Sequence, residues 1–160
     1  MNLKDLGVYK ANVQSVILQS TEICELLIGE TYNKENVDEL ILYKYFYPYL
    51  YVDSTQTEEK AFICMEVTVP RVIDFSYKDM KIIIWCCSHK GIMNYSKPDF
   101  LGTRVDILAD MIDRKLNTSN KFGIGRLKLD SSNYIYPANN NYYGRELVYK
   151  CVEFNTNKKL

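Results

Sequence analysis

The stretch Met80-Lys81-Ile82-Ile83-Ile84-Trp85-Cys86-Cys87 decides how the chain folds. Apart from Lys81 it is apolar, it is rich in β-branched residues and it holds neither Gly nor Pro, so it reads as a strand and not a helix. A clear alternation of apolar and polar positions is missing. The stretch is therefore expected at the centre of the only sheet, with cover over both of its faces.

Upstream, Phe62 to Val69 does alternate, with Ile63, Met65, Val67 and Val69 on one face and Phe62, Cys64, Glu66 and Thr68 on the other. Pro70 and the polar turn Ser76-Tyr77-Lys78-Asp79 separate the two runs, which predicts a long antiparallel hairpin. Two amphipathic segments flank it. From Asn12 to Ile28, the residues Val13, Val16, Ile17, Ile23, Cys24, Leu27 and Ile28 fall near helical spacing, and Gly29 ends the run. The second segment starts at Asp99 or Thr103, where Thr103 with Asp106 resembles a capping box, and continues through Val105, Leu108, Ala109, Ile112 and Leu116. A short helix is expected after a cap at Asn36, through Val37, Leu40 and Ile41. Gly125 to Leu129 and Glu146 to Phe154 are two further strand candidates, joined by a long Tyr/Asn-rich segment containing Pro137. This order predicts an α+β sandwich in one domain over residues 1–160, an antiparallel or mixed sheet of about four strands with two main helices packed on it.

The 160 residues are 47% hydrophobic, enough to bury roughly 70% of the unfolded surface in one core. Twenty basic and twenty acidic residues cancel, so overall charge gives no general reason to bind nucleic acid, membranes or acidic substrates, although a local patch is not excluded by it. The five cysteines have no C-x-x-C spacing and sit among apolar residues, as expected of reduced core thiols. The first residues lack the apolar core of a signal peptide and no run approaches the ~20 apolar residues of a membrane span, so a soluble, non-exported protein is expected.

Fourteen tyrosines stand out. In the segment Tyr43 to Val52 they recur at every second place, and in an extended chain Tyr47, Tyr49 and Tyr51 point one way while Pro48, Leu50 and Val52 point the other. Pro48 restricts this segment to a sheet edge. The tyrosine face either lies on the domain's own helices or forms a contact between subunits. The wholly polar loop from Asp53 through Glu58, Glu59 and Lys60 follows, and is expected to project from the domain. Arg71, Arg104, Arg126 and Arg145 fall near element ends, where they pair with carboxylates either within the chain or across subunits.

Catalytic chemistry has little to draw on. The single histidine, His89, has no evident orienting acid or nucleophile and reads as a satisfied histidine at a strand end. Gly123-Ile124-Gly125-Arg126 leads into a strand and lacks the third glycine of a dinucleotide fingerprint, so its glycines serve a turn. Glu66 near Lys78 and Lys81 has no Glu-x-Lys spacing of a metal nuclease; a nuclease or hydrolase using Glu66, Asp79 and His89 is the rival reading, and a monomeric adaptor binding through the tyrosine edge is a third. No catalytic residue, cofactor or metal is expected.

The element order, together with Glu58-Glu59-Lys60 before Phe62 to Pro70, Ser88-His89-Lys90, Gly102-Thr103-Arg104-Val105-Asp106 opening a helix, Gly123 to Leu127, and Tyr143-Gly144-Arg145 opening the last strand, resembles the small neck proteins of tailed double-stranded DNA phages. These are tail-completion, tail-terminator and head-tail joining proteins. The resemblance implies a small α/β sandwich that assembles with itself as a ring, commonly a hexamer, between the portal and adaptor proteins and the tail tube. It also implies a non-enzymatic virion component, assembled in the host cytoplasm, through which DNA passes without specific binding. In that setting Tyr47, Tyr49, Tyr51, Asp53, Glu58, Glu59, Lys60 and the four arginines are the expected interface.

Overall fold

The structure, a computed structural model, describes residues 2–52, 57–137 and 141–155. Asp53, and with it the start of the loop expected to project, lies outside the described residues. Five strands form one sheet: β1 (Phe46–Tyr47), β2 (Ala61–Val72), β3 (Tyr77–His89), β4 (Ile124–Ile135) and β5 (Tyr142–Phe154). They lie in the order β1-β2-β3-β5-β4, which puts the apolar stretch at the centre as expected. All neighbours are antiparallel except β1, which runs parallel to β2. The fold is α+β.

Four α-helices accompany the sheet: α1 (Lys4–Leu18), α2 (Thr21–Ile28), α3 (Val37–Ile41) and α4 (Arg104–Leu116). They lie over one face only. Met80, Ile82, Ile84 and Cys86 of β3 point into a core shared with Tyr9, Val13 and Ile17 of α1, Ile23 and Leu27 of α2, and Leu108 and Ile112 of α4. The α4 stripe buries as its spacing predicts, and Ile107 and Met111 are buried as well, because α4 packs on α2 in addition to the sheet. Its N-terminus is the expected capping box: the Thr103 hydroxyl accepts from the Asp106 backbone N–H, and the Asp106 carboxylate accepts from the Thr103 backbone N–H at 3.0 Å.

Several expectations need correction. The segment Asn12 to Ile28 is two helices, broken at Gln19-Ser20, where extended Ser20 turns its hydroxyl to the Ile23 N–H and restarts the helix. Asn36 makes no side-chain cap; Asn33 instead accepts from Glu35 N–H ahead of a 3-10 turn. The sheet has five strands, not four, because Phe46 and Tyr47 pair with Ile63 and Cys64 before Pro48 ends the pairing. Much of the supposed Tyr/Asn-rich connection is strand: β4 runs on to Ile135 and β5 begins at Tyr142, since Ser131 to Ile135 can pair across with Gly144 to Val148 despite a bulge.

The largest correction concerns cover. On β3 the even residues from Lys78 to Cys86 are buried, while Asp79, Lys81, Ile83 and Trp85 are only half-buried on a face that no described helix crosses. That second face closes only at one end. There Tyr47, Phe62, Cys64, Cys87 and Tyr142 form a separate apolar cluster, with Leu50 and Val52 packed against it. Apolar Ile83 and Trp85 are tolerated outside because Val148 neighbours Ile83 and the indole N–H donates to Glu146 at 2.9 Å.

Candidate functional site

The open face of the sheet carries a row of like charges. Lys81 of β3 stands opposite Lys150 of β5, and Lys150 stands opposite Lys128 of β4, so three lysines cross adjacent strands on one rung. Strands lie about 4.8 Å apart, and like charges placed directly opposite one another destabilise a sheet. Only Lys150 is compensated by a carboxylate, through Asp130 at 2.8 Å. Among the described residues Lys81, Lys128, Arg71 and Arg126 have no carboxylate within ion-pair distance.

These residues line a groove of about 720 Å³ at the β3/β5/β4 side of the open face. Its walls hold five cations, Arg71, Lys81, Arg126, Lys128 and Lys150, against two carboxylates, Asp79 and Asp130, a surplus of three positive charges in a chain whose net charge is zero. Local chain geometry makes the groove. Gly123 (φ 54°) and Gly125 (φ 87°) take left-handed conformations at the start of β4, and the pairing with β5 slips between Ile124 and Lys128. A Cβ on Gly123 would come within 2.3 Å of the Val152 carbonyl oxygen and 2.8 Å of the Tyr9 hydroxyl, so this turn, foreseen from its two glycines, requires one at 123.

The four arginines of the expected interface divide. Arg104 is spent within the chain: it donates to the carbonyls of Ile92 (2.7 Å) and Leu26 (3.0 Å) and stacks on Tyr95 at 4.3 Å. Arg145 pairs with Asp106 at 3.2 Å and reaches Ser132. Burial works against the Asp106 charge, yet hydrogen bonds from Thr103 and Arg145 outweigh it and hold that carboxyl below the ordinary range. For both arginines the partners found are within the chain, one of the two arrangements expected of them. Arg71 and Arg126 are exposed and line opposite sides of the groove, on β2 and β4. The lysines between them escaped the sequence reading, although Lys81 is the one polar position in the central run and marks which face is open.

The tyrosine edge forms a cluster at the other end of the sheet. Tyr47, Tyr49 and Tyr51 contact one another with ring centroids 5.2 to 6.1 Å apart, and Tyr47 also packs edge-on against Phe62. Tyr47 is buried while Tyr49 and Tyr51 are exposed, so the face serves the fold and the surface together. Lys60 is held beside it, donating to the Lys44 carbonyl at 2.7 Å and lying over the Tyr45 and Tyr47 rings. Glu58 offers its backbone carbonyl to the Tyr142 hydroxyl, and its side chain remains exposed. Glu59 lies 3.7 Å from His89 Nδ1, but that nitrogen accepts from the Gly91 N–H at 2.9 Å.

Two apolar surfaces lie at opposite ends of the strands. At the β2–β3 hairpin tip Val72, Ile73 and Phe75 are exposed, Phe75 by 99%, and beside them Tyr77 stacks on Phe154 with centroids 5.7 Å apart. At the far end two groups of exposed rings stand at opposite edges of the sheet, Tyr43, Tyr49 and Tyr51 beside β1 and Tyr134 and Tyr136 at β4. The 13 residues of β3 separate these ends by roughly 40 Å.

The rival catalytic set does not assemble. Glu66 is paired to Lys10 at 2.6 Å, Asp79 sits in the groove, and His89 lies ten residues further along β3, roughly 33 Å away at strand rise. No group of three or more His, Cys, Asp or Glu residues among the described residues is placed to hold a metal ion. The cysteines are free and buried. Burial pushes the Cys24 thiol up to about 11 and the Cys64 thiol up to about 12, so both are protonated, poor nucleophiles at neutral pH. No described helix is long and apolar enough to cross a membrane.

No curated protein matches the chain. A family model described as YomW matches residues 20–151, from the Ser20 cap of α2 to Cys151 in β5, so that β1 to β4 and all of the groove lining but Val152 fall inside the match and α1 falls outside it. The match spans well over half of the sequence: the chain belongs to the YomW family, named for a Bacillus phage gene product, and is phage-derived.

Proposed function

We propose that this phage-derived chain is a structural virion protein that assembles with itself as a ring in the phage neck, joining the portal side of the head to the tail. The observation that carries the reading is the pair of unlike apolar surfaces at the two ends of the sheet. Exposed apolar groups on a monomer mark contact surfaces when they cluster. The hairpin tip, with Val72, Ile73 and Phe75, and the tyrosine end differ in composition, and in this reading each meets the other on a neighbouring copy. Such a head-to-tail contact is heterologous, and it closes into a ring when the rotation per subunit divides a full turn. Growth through the sheet edges is disfavoured. The outer edge of β2 carries Pro70 and the Lys10–Glu66 pair, β1 is two residues long, and the pairing of β4 is interrupted by two bulges.

In this reading the protein is not an enzyme. It acts in the virion after assembly in the host cytoplasm, a hexamer being the expected closure, with portal, adaptor and tail-tube proteins as axial neighbours and DNA passing through the bore. The exposed Glu58 side chain faces those neighbours. Sedimentation velocity over a concentration series tests the proposal. One closed species of fixed mass is expected, lost on Phe75→Asp; a monomer at every concentration, or an open-ended series of sizes, would contradict it.

A further inference from the structure

We infer that the groove on the open face binds single-stranded nucleic acid through its phosphate backbone, independently of whether the chain forms a ring. Three observations converge. The rung Lys81–Lys150–Lys128 sets three ammonium groups across adjacent strands, at a standing cost that a polyanion would relieve. Arg71, opposite Asp79 on the neighbouring rung, and Arg126 add two cations to the groove, and among the described residues only Lys150, through Asp130, has a carboxylate within ion-pair distance. The third observation selects the kind of anion. On the same face, two rungs from the lysine row, Tyr77 and Phe154 stand opposite each other with their rings stacked and outward-exposed. The rung between them and the lysines holds Asp79 beside Val152 and Ile124, so one carboxylate stands between the lysine row and the rings, opposite Arg71 of β2.

Cations alone would serve an acidic peptide equally well. A row of cations running beside exposed aromatic rings on an open sheet suits a chain that carries both phosphates and flat bases, with phosphates on the lysines and a base on the Tyr77/Phe154 platform. A duplex keeps its bases stacked inside and cannot use that platform. Recognition is through backbone charge and stacking, without sequence preference, and its affinity falls steeply with salt.

The test is fluorescence anisotropy with the full chain and a labelled thymidine oligonucleotide of about 16 nucleotides at about 50 mM and about 200 mM salt. Binding at the lower salt is expected, weakening at the higher. Lys81→Ala/Lys128→Ala/Lys150→Ala should lower affinity at least about tenfold and flatten the salt dependence by about two counterions, at roughly 0.7 for each phosphate no longer neutralised. Phe154→Ala should lower affinity roughly five- to hundredfold, with the salt slope unchanged, because it removes stacking and not charge. Retained circular dichroism and melting temperature separate these effects from unfolding. The inference is overturned if the oligonucleotide does not bind at the lower salt or if the triple variant binds as well as the parent. It is also overturned if a duplex of equal length binds more tightly, or if polyglutamate of equal charge binds as tightly and Phe154→Ala changes nothing, which would assign the groove to an acidic protein segment.

Discussion

The two faces of one sheet are built to different rules. Toward the helices, Met80, Ile82, Ile84 and Cys86 are wholly buried beneath α1, α2 and α4, and the polar groups found there are paired: Lys78 with Asp5, the Tyr149 hydroxyl with Asp113, the Tyr9 hydroxyl with Glu153. Toward solvent, the same strand presents Lys81 opposite Lys150, a repulsive contact left largely uncompensated. Stability is concentrated on the first face, and the second departs from what stability alone would select. Such departures, on a scaffold that is otherwise consistent, are where function is carried.

The contrast can be broken most severely from the helix side. Leu108 is fully buried between α4 and the sheet, so Leu108→Ala should cost about 2–5 kcal/mol by urea denaturation. A variant as stable as its parent would mean that α4 is not packed as described. Next comes the latch of α1, the helix outside the family match. Lys78 Nζ, fully buried, donates to Asp5 and to the Asn2 carbonyl, both at 2.6 Å. Asp5→Ala should cost roughly 1.5–3 kcal/mol, the usual range for a hydrogen bond to a charged group. If the loss is nil, α1 is an accessory to a core that the matched region completes without it.

Alkali should act on the helix-covered face and the closed end of the other. Cys24 and Cys64 are neutral when protonated, and burial raises them from 9.0 to about 11 and about 12. Folded values above unfolded ones mean stabilisation that is fully present below about pH 9 and lost as pH rises through 11 and 12. Burial also raises the Tyr9 and Tyr149 hydroxyls, in the same direction. Urea midpoints measured from pH 8 upward should therefore fall; a flat profile would place these groups in contact with water. The smallest effect sharpens the comparison from the open side. Lys150→Ala, though it gives up the exposed pair with Asp130, removes the charge facing both Lys81 and Lys128, and stability should change by no more than about 0.5 kcal/mol, in the stabilising direction.

The same contrast explains what could be read from the chain alone. The α4 stripe, its Thr103–Asp106 box and the β2–β3 hairpin were legible because each is fixed by local spacing. The break at Ser20 was hidden because the apolar spacing runs through it, and only the hydroxyl cap to Ile23 reveals the restart. The groove was out of reach for a different reason. Lys81, Lys128 and Lys150 become neighbours only through the order β3-β5-β4 and a slip of register beside Gly125, neither of which a local window contains. Arg71 and Arg126 were singled out for their positions at element ends, yet Arg104 and Arg145 looked the same and proved to be tied to Leu26, Ile92 and Asp106.

The central claim is that the two apolar ends are complementary halves of one head-to-tail contact. Mixing tests it directly. Phe75→Asp spoils the hairpin tip and keeps the tyrosine end; Tyr49→Asp does the reverse. Each variant alone should be monomeric by native mass spectrometry, because every contact it could make uses its spoiled end. Mixed in equal amounts, they should form a heterodimer through the two intact ends, and nothing larger. A parent chain that assembles while the mixture stays monomeric, or a parent that never assembles, would contradict the account.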